Sequence, residues 1–133
     1  AELGLPAGSP VFQIYNKLGL NKKFYIVDKI IIPQEKFPGL TEEIFKGRAN
    51  TIYNLYQNKF NIFITNCSEK LKAISADEKI SKLLNIPTSA PILKINRVGQ
   101  TYNNVTIELR TSFVHTSDID YIHSQNSTFG ESI

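Results

Sequence analysis

Two polar side chains interrupt apolar strand faces in the first third of the sequence, and these residues are the best placed to do chemistry. In a strand predicted over residues 11–18, alternation puts Asn16 on a face whose other side chains are apolar. In a partner strand over residues 24–32, Asp28 is the lone polar group of its face. An amide and a carboxylate directed at a core must be hydrogen-bonded or line a cavity. The pattern predicts a polar pocket between a sheet and its helices, unless either residue lies near a strand end and reaches water.

Further polar candidates lie on the strands predicted near the end of the sequence. Arg97 occupies the position that matches Asn16 in an internal repeat described below, and it follows two apolar residues on its face. Glu108 shares a face with Arg110, so it is either solvated or paired with that arginine. Arg97 and Glu108 are candidates for the same pocket.

Patterns typical of catalytic or metal sites are absent from the sequence. His115 and His123 have no partner at the spacing of a metal site or a catalytic triad, which favours surface histidines. Cys67 has no neighbouring histidine or basic group that would lower its pKa, which favours a passive thiol. There is no Gly-rich phosphate loop, nucleophile elbow or His/Cys cluster. We therefore expect no enzyme, no cofactor and no metal site.

Composition is typical of one ordinary globular domain. The chain has 133 residues, of which 41% are hydrophobic and 20% charged, with a formal net charge of +3. Its basic residues are scattered and mostly lysine, without the basic stripe of nucleic-acid-binding proteins, so these residues are not predicted to contact DNA. No run approaches the roughly 20 apolar residues that span a bilayer, so no membrane partner is expected. A single cysteine excludes an internal disulfide, which fits a reducing, cytoplasmic location.

The elements that must position the polar groups contain an internal repeat. Residues 3–18, LGLPAGSPVFQIYNKL, match residues 84–99, LNIPTSAPILKINRVG, at an offset of 81 residues. Gly4 and Asn85 occupy the same place, and both residue types favour the left-handed conformation that ends a helix. Each copy is therefore predicted to run from a helix end through a proline turn into a strand. Because only residues 1–3 precede the helix end at Gly4, we expect a fragment of a longer protein that begins on the last turn of a truncated helix.

Each copy continues into a predicted β-hairpin. The two hairpins share one pattern: 11–18 pairs with 24–32 through residues 19–23, and 92–98 pairs with 105–114 through a turn that includes Gly99, Asn103 and Asn104. Between them, residues 61–74 are predicted to form one long strand, rich in β-branched and aromatic residues in its first half. The tail is predicted to add an edge strand around Tyr121 and Ile122.

Helices are predicted where capping residues precede apolar residues at helical spacing. Thr41 begins a short helical turn, and Asn50 or Thr51 begins a longer helix. Ser75 and Glu78 form a Ser-x-x-Glu capping box before a further helix. Hairpins with separate helices indicate an α+β fold, with an antiparallel sheet of about six strands and flanking helices.

The order and spacing of these segments resemble the UTRA domain, the effector-binding module of the HutC-type branch of GntR transcriptional regulators. The resemblance covers residues 3–122 and rests on four segments: PVFQIYNKLGLNKKFYIVDKIIIPQEKFPGL, TIYNLYQNKFNIFIT, SADEKISKLLNIPTSAPILKINRV and IELRTSFVHTSD. It implies a chorismate-lyase-like fold, a homodimer and a small-molecule effector, with residues 1–133 forming a single domain. It also implies that a winged helix-turn-helix domain precedes this module in a cytoplasmic repressor, which would contact DNA through that domain only.

The resemblance also implies which residues bind the effector. The acidic residue, the Ser-x-Tyr pair, the glutamate and the later tyrosine of the family pocket fall on Asp28, Thr51 with Tyr53, Glu108 and Val114. The Arg-x-Arg pair that grips phosphate in sugar-phosphate-binding members falls on Asn16 and Leu18, so both arginines are missing. Lys17 and Arg97 could replace them only if they reach the cavity, and alternation places Lys17 on the opposite face of its strand. A phosphorylated sugar is disfavoured, because a dianion would lose its charge-assisted bonds. We expect instead an unphosphorylated sugar, an amino-acid derivative or a small acid.

Two other functions remain open at this point. A chorismate-lyase-like enzyme would share the fold, but it would need basic residues that grip two carboxylates, and the sequence offers no obvious pair. A module that only dimerises and has lost its ligand is the other alternative. Solid packing around Asn16 and Asp28 would favour that second alternative.

Overall fold

The structure is a computed structural model that describes residues 3–20 and 22–122. These residues contain five strands and three short α-helices, joined by turns and loops. The strands are β1 (Val11–Leu20), β2 (Lys23–Pro33), β3 (Asn66–Ser75), β4 (Pro91–Thr101) and β5 (Val105–Val114). The helices are α1 (Glu42–Lys46), α2 (Ile52–Phe60) and α3 (Glu78–Leu84). All neighbouring strands pair antiparallel, in the order β1-β2-β5-β4-β3. The predicted α+β class is confirmed, and the described residues form five strands where about six were predicted.

The internal repeat is present in the fold. Gly4 and Asn85 both adopt positive φ, +71° and +55°, as predicted for the residues that end the preceding helix. In both copies the next turn is closed by an N–H···O bond of 3.1 Å, from Ser9 to the Pro6 carbonyl and from Ala90 to the Pro87 carbonyl. The copies then enter the β1–β2 and β4–β5 hairpins.

The two hairpins meet where β2 pairs with β5, and an approximate two-fold axis perpendicular to the sheet relates them there. Asp28 pairs with Ser112 across this junction, and Ile30 pairs with Arg110. On these strands the repeat offset is 82 residues, which matches Asp28 to Arg110 and Ile30 to Ser112. Exchanging the two copies therefore maps one pair onto the other. Equivalent residues of the two hairpins consequently point to the same face of the sheet.

Both faces of the sheet carry a packed core. The face that bears Asn16 and Asp28 is here called the site face, and α1 and α2 pack over one end of it around Phe37, Phe45 and Tyr56. On the opposite face, α3 packs against β2 and β4 through a cluster formed by Val27, Ala76, Ile80, Leu84 and Ile92. The apolar spacing that predicted α3 therefore corresponds to a buried helix face.

The edge strand predicted around Tyr121 and Ile122 is wrong. Residues 115–122 form no strand; they lie over the other end of the site face, where Ile119 and Tyr121 pack on the cluster of Ile26, Ile95 and Val114. This packing removes apolar strand residues from water, which an added edge strand would not do. The predictions for Ala1 and Glu2, for the turn residue Asn21 and for His123 lie outside the described residues.

The strand predicted over residues 61–74 begins five residues later, at Asn66. Asn61 ends α2 in the left-handed conformation, with φ of +55°. Ile62 and Ile64 then pack against the core beneath α2. Their β-branched side chains serve packing there, and pairing with β4 starts only where the Thr65 N–H donates to the Gln100 carbonyl.

Two of the three predicted helix starts are confirmed. The Thr41 and Thr51 hydroxyls each accept a backbone hydrogen bond of 3.1 Å at the first turn of α1 and α2. The predicted capping box of α3 is wrong. Its N-cap is Asp77, whose Oδ1 accepts from the Ile80 N–H at 2.8 Å, because Ser75 still belongs to β3.

Gly99 lies within β4 and not in the turn that was predicted for it. It pairs with Glu108 where the register between β4 and β5 shifts. A Cβ at this position would lie 3.3 Å from the Tyr53 hydroxyl, closer than ordinary van der Waals contact. Glycine therefore leaves room for a tyrosine that reaches the sheet from α2.

Candidate functional site

A band of polar side chains crosses the middle of the site face. The first half consists of Asn16 on β1, Asp28 on β2 and Ser112 on β5. The second half consists of Arg110 on β5, Arg97 on β4 and Glu69 on β3. Apolar clusters lie on both sides of the band. Asp28 is only 2% exposed and lies in mid-strand, so the alternative that it reaches water near a strand end is wrong. The cost of burying its carboxylate must be offset by hydrogen bonds.

Asp28 is held by short polar side chains. The Ser112 hydroxyl donates to Oδ1 at 2.6 Å, and the Asn16 amide donates to Oδ2 at 3.5 Å. The Asn16 carbonyl oxygen in turn accepts from Nη2 of Arg48 at 3.3 Å. Asn16 thus lies between a carboxylate in the sheet and a guanidinium from the loop after α1.

Glu108 is the best-satisfied carboxylate of the band. It is fully buried, and Arg110 donates to it from Nε at 2.9 Å and from Nη2 at 3.0 Å. The Tyr53 hydroxyl donates to Oε1 at 3.2 Å, and the Tyr56 hydroxyl donates to Oε2. The predicted pairing with Arg110 is confirmed, and the solvated alternative is wrong. With four donors on its two oxygens, the Glu108 carboxylate binds the protein's own groups.

Burial sets the protonation of the tyrosines in this cluster. It raises the pKa of Tyr53 and Tyr56 above the usual value, and the negative charge of Glu108 raises both further. Both hydroxyls therefore remain protonated donors at neutral pH. Burial likewise raises the pKa of the Cys67 thiol, whose Sγ lies 3.6 Å from the Tyr53 hydroxyl. This agrees with the passive thiol predicted from sequence.

Arg97 is occupied by an acidic side chain of the neighbouring strand. Its Nε and Nη2 lie 2.9 and 2.8 Å from Oε2 of Glu69. The other oxygen of Glu69 accepts from the Tyr121 hydroxyl at 2.9 Å. The arginine that matches Asn16 in the repeat therefore already neutralises a carboxylate.

The remaining predicted site residues have different surroundings. Thr51 caps α2 through its hydroxyl. Leu18 and Val114 belong to the apolar cluster at the end of the site face that residues 115–122 cover. Among the eight residues predicted for the site, Asn16 is hydrogen-bonded to Asp28 and Tyr53 to Glu108.

Arg48 is a polar residue of this region that the sequence did not single out. Its Nη1 donates to the Phe45 carbonyl at 2.9 Å, and its Cζ lies 4.5 Å from the centre of the Phe45 ring. Arg48 lies in a loop, so no periodicity marks it. The only available signal was that it is one of few arginines in a lysine-rich chain.

An open groove runs between β1 and α1 beside Asn16. Its volume is about 680 Å³, and it is here called the β1 groove. Apolar side chains form part of its wall, namely Phe12, Ile14, Leu40 and Phe45. Asn16 and Thr41 contribute polar groups, and Lys17 and Lys46 contribute cations. The polar band is therefore reached from outside at its β1 end.

Other kinds of site find no support in the described part of the chain. No group of three or more His, Cys, Asp or Glu side chains there is placed to hold a metal ion. No helix in residues 3–20 and 22–122 is long and apolar enough to cross a membrane.

Comparisons with known proteins agree with this architecture. The family model of the UTRA domain matches residues 1–120. The ligand-binding domain of a candidate GntR-family transcriptional regulator from Bordetella bronchiseptica is 30% identical, with a TM-score of 0.88 over 93% of this chain and 79% of that one. PhnF from Mycobacterium smegmatis has the same fold at 19% identity, with a TM-score of 0.80 over 95% of this chain and 55% of that one.

A third structure, a GntR-family transcriptional regulator from Enterococcus faecalis, is 15% identical, with a TM-score of 0.82 over 93% of this chain and 87% of that one. No curated protein matches the chain. The family match covers most of the sequence, and the relative at 30% identity is a ligand-binding domain of the same architecture. The chain therefore belongs to the UTRA domain family.

Proposed function

We propose that this chain is the effector-sensing and dimerisation domain of a bacterial GntR-family repressor of the HutC branch. A small molecule would bind at the polar band and change the operator affinity of a DNA-binding domain carried elsewhere in the full protein. The observation that carries the proposal is the Asn16–Asp28 pair within a UTRA domain: both side chains are polar and core-directed, and Asn16 lines the β1 groove.

The regulatory effect would follow from linkage. An effector changes operator affinity only if it binds one arrangement of the two DNA-binding domains better than the other. A homodimer formed by this domain would supply those arrangements. The polar band supports the coupling, because strands of both hairpins contribute to it and side chains of the first hairpin line the groove at its β1 end.

The two alternative functions have less support. A lyase would need free cations for two carboxylates, yet Arg97 and Arg110 already pair with Glu69 and Glu108. A module without a ligand would pack solidly around Asn16 and Asp28; Asp28 is buried, but Asn16 lines a groove of about 680 Å³.

Thermal-shift screening of the chain against a metabolite library tests the sensing role. We expect at least one small molecule to raise the melting temperature, since a ligand at 100 times its Kd stabilises the native state by about 2.7 kcal/mol. The Asp28→Asn variant should lose that shift, and Glu35→Gln, which changes an exposed acidic residue in the turn after β2, should keep it. A library without any stabilising compound would refute the sensing role.

The regulatory steps need the full-length protein. Sedimentation of the 133-residue chain should give a dimer, and the hit from the screen should change operator binding of the full-length regulator. A hit that stabilises the domain and leaves operator affinity unchanged would contradict the regulatory part of the proposal.

A further inference from the structure

We infer that the effector is a small carboxylic acid with an apolar body, whose carboxylate is bound by the guanidinium of Arg48. This inference rests on the proposed function, because it names the ligand class of the same site. It assigns to Arg48 the anion-binding role that neither Asn16 nor Leu18 can perform.

Arg48 is held firmly at one end of its guanidinium and loosely along the other edge. One end of its guanidinium is fixed, because Nη1 bonds the Phe45 carbonyl and the plane lies over the Phe45 ring. The other edge is poorly used. Nη2 makes only the 3.3 Å bond to Asn16, and Nε is buried without a hydrogen-bond partner. A buried N–H without an acceptor is costly, so an acceptor brought by a ligand would gain that free energy.

Two other arginines of this chain bind carboxylates through the same edge of the guanidinium. Arg110 uses Nε and Nη2 to hold both oxygens of Glu108 side-on. Arg97 also holds Glu69 through Nε and Nη2, although both nitrogens contact one oxygen, Oε2. Among the described residues, Arg48 is the one arginine without an ion pair. A planar carboxylate fits the guanidinium edge with two parallel charge-assisted bonds.

The β1 groove lies next to Arg48, on the other side of Asn16. The β1 groove offers apolar walls from Phe12, Ile14 and Phe45, and its volume lies within the usual range for small-molecule sites. Asn16 lines the groove and contacts Arg48, so it joins the two parts of the site. Arg48 lies behind Asn16 and does not itself line the groove, so a carboxylate reaches the guanidinium by replacing the Asn16 carbonyl oxygen at Nη2.

The charges around the groove favour a monoanion. Lys17 lines it and lies over the Phe24 ring, while Lys46 is paired with Glu42 at 2.6 Å. One unpaired guanidinium with a lysine at the rim suits a single negative charge. A phosphate dianion would demand more donors than this edge supplies.

Two matched probe pairs test the inference: phenylacetate with phenylacetamide, and hexanoate with hexanamide, each titrated into the 133-residue chain. The pairs share size and apolar body and differ in the charged group. We expect the carboxylates to bind at least tenfold more tightly than the amides by calorimetry. We also expect them to shift the side-chain Nε–H resonance of Arg48 in proton–nitrogen spectra. Arg48→Lys, which keeps the charge and loses the planar edge, should weaken carboxylate binding tenfold or more.

Lys59→Gln is the matched control, since it removes an exposed cation on α2 and should leave the affinity unchanged. Equal affinity for acids and amides, equal affinity in Arg48→Lys, or no binding of either acid would overturn the inference. Glucose 6-phosphate is the competing probe, and tighter binding of this dianion would also overturn it. If the acids fail while a neutral metabolite from the thermal-shift library binds, the inference is lost and the proposed function stands. If nothing in that library binds, both are lost.

Discussion

At the scale of single residues, the Glu108 cluster shows how a buried charge is made tolerable. Glu108 and Arg110 are both almost fully excluded from water, and two tyrosine hydroxyls complete the shell of the carboxylate. Such a pair adds little net stability compared with apolar residues, but breaking it leaves an uncompensated charge in the core. The cluster therefore fixes the geometry of the band more than it adds stability.

Arg110→Met should lower the free energy of unfolding by about 3–5 kcal/mol, because it leaves the Glu108 carboxylate buried without its cation. Urea unfolding followed by circular dichroism measures the change. The double variant Glu108→Leu/Arg110→Met should recover most of the loss, and Lys59→Met, on the exposed side of α2, should change stability little. A loss below about 1 kcal/mol for Arg110→Met would contradict the structure of the cluster.

The raised pKa values of Tyr53 and Tyr56 predict loss of stability at alkaline pH. Unfolded tyrosine ionises near pH 10, whereas burial keeps both folded hydroxyls protonated above that value. Below pH 10 both states hold these protons, so the tyrosines contribute no pH dependence. Above it the unfolded state holds fewer protons, and the free energy of unfolding falls by about 1.4 kcal/mol per pH unit for each tyrosine.

Unfolding free energies at pH 9, 10 and 11 check this slope. Tyr53→Phe should remove about half of the pH dependence that Tyr53 and Tyr56 cause. Lysine ionisation is the same in both proteins, so the difference between their slopes reports Tyr53 alone. Identical slopes in the two proteins would show that Tyr53 titrates normally.

At the scale of elements, α3 illustrates how one residue decides where a helix starts. Ser75 and Asp77 are both suitable caps, and sequence alone favoured Ser75 because Glu78 follows it at capping-box spacing. Pairing of Ser75 with Pro91 keeps it in β3, so the cap passes to Asp77. Tertiary pairing thus overrode a local signal.

Asp77→Ala should destabilise the chain by about 1 kcal/mol, because the Ile80 N–H loses its acceptor at the first turn of α3. Ser75→Ala is the control and should have little effect. Thermal unfolding of both variants distinguishes the two caps. If Ser75→Ala destabilised the chain more than Asp77→Ala, Ser75 would be the N-cap and the predicted capping box would be correct.

The sequence predicted those site residues whose signal lies within one strand, and it did not predict those that depend on distant parts of the chain. Asn16 and Asp28 were found because alternation along a strand needs no knowledge of the rest of the chain, and both lie on the predicted face. The saturation of Glu108 was not predictable, since its donors Tyr53 and Tyr56 lie more than 50 residues away. Arg48 was not predicted, because it lies in a loop, where no helical or strand periodicity marks a residue.

At the scale of the whole molecule, the junction of β2 and β5 joins the two hairpins into one sheet. Both strands are central, and residues of both copies enter the buried band. The helices cross between copies as well: α3, which follows β3, packs on Val27 of β2. Neither hairpin has a complete core without the other.

We therefore expect one cooperative unfolding transition for the whole domain. Calorimetric and van't Hoff enthalpies should agree, and tyrosine fluorescence and far-ultraviolet circular dichroism should give the same midpoint. Val27→Ala, which opens a cavity between β2 and α3, should shift that single midpoint without splitting it. Two resolved transitions would mean that the hairpins fold as separate units.

The approximate two-fold axis has a consequence for how such a domain changes its ligand. In the second copy, Arg97 and Arg110 are each neutralised by a carboxylate of the protein itself, so that half is committed to rigidity. In the first copy, the equivalent positions hold Asn16 and Asp28, and Asn16 bonds the loop residue Arg48 and lines the β1 groove. Because the two hairpins have equivalent positions, one hairpin can keep its fixed ion pairs while substitutions in the other change which ligand binds.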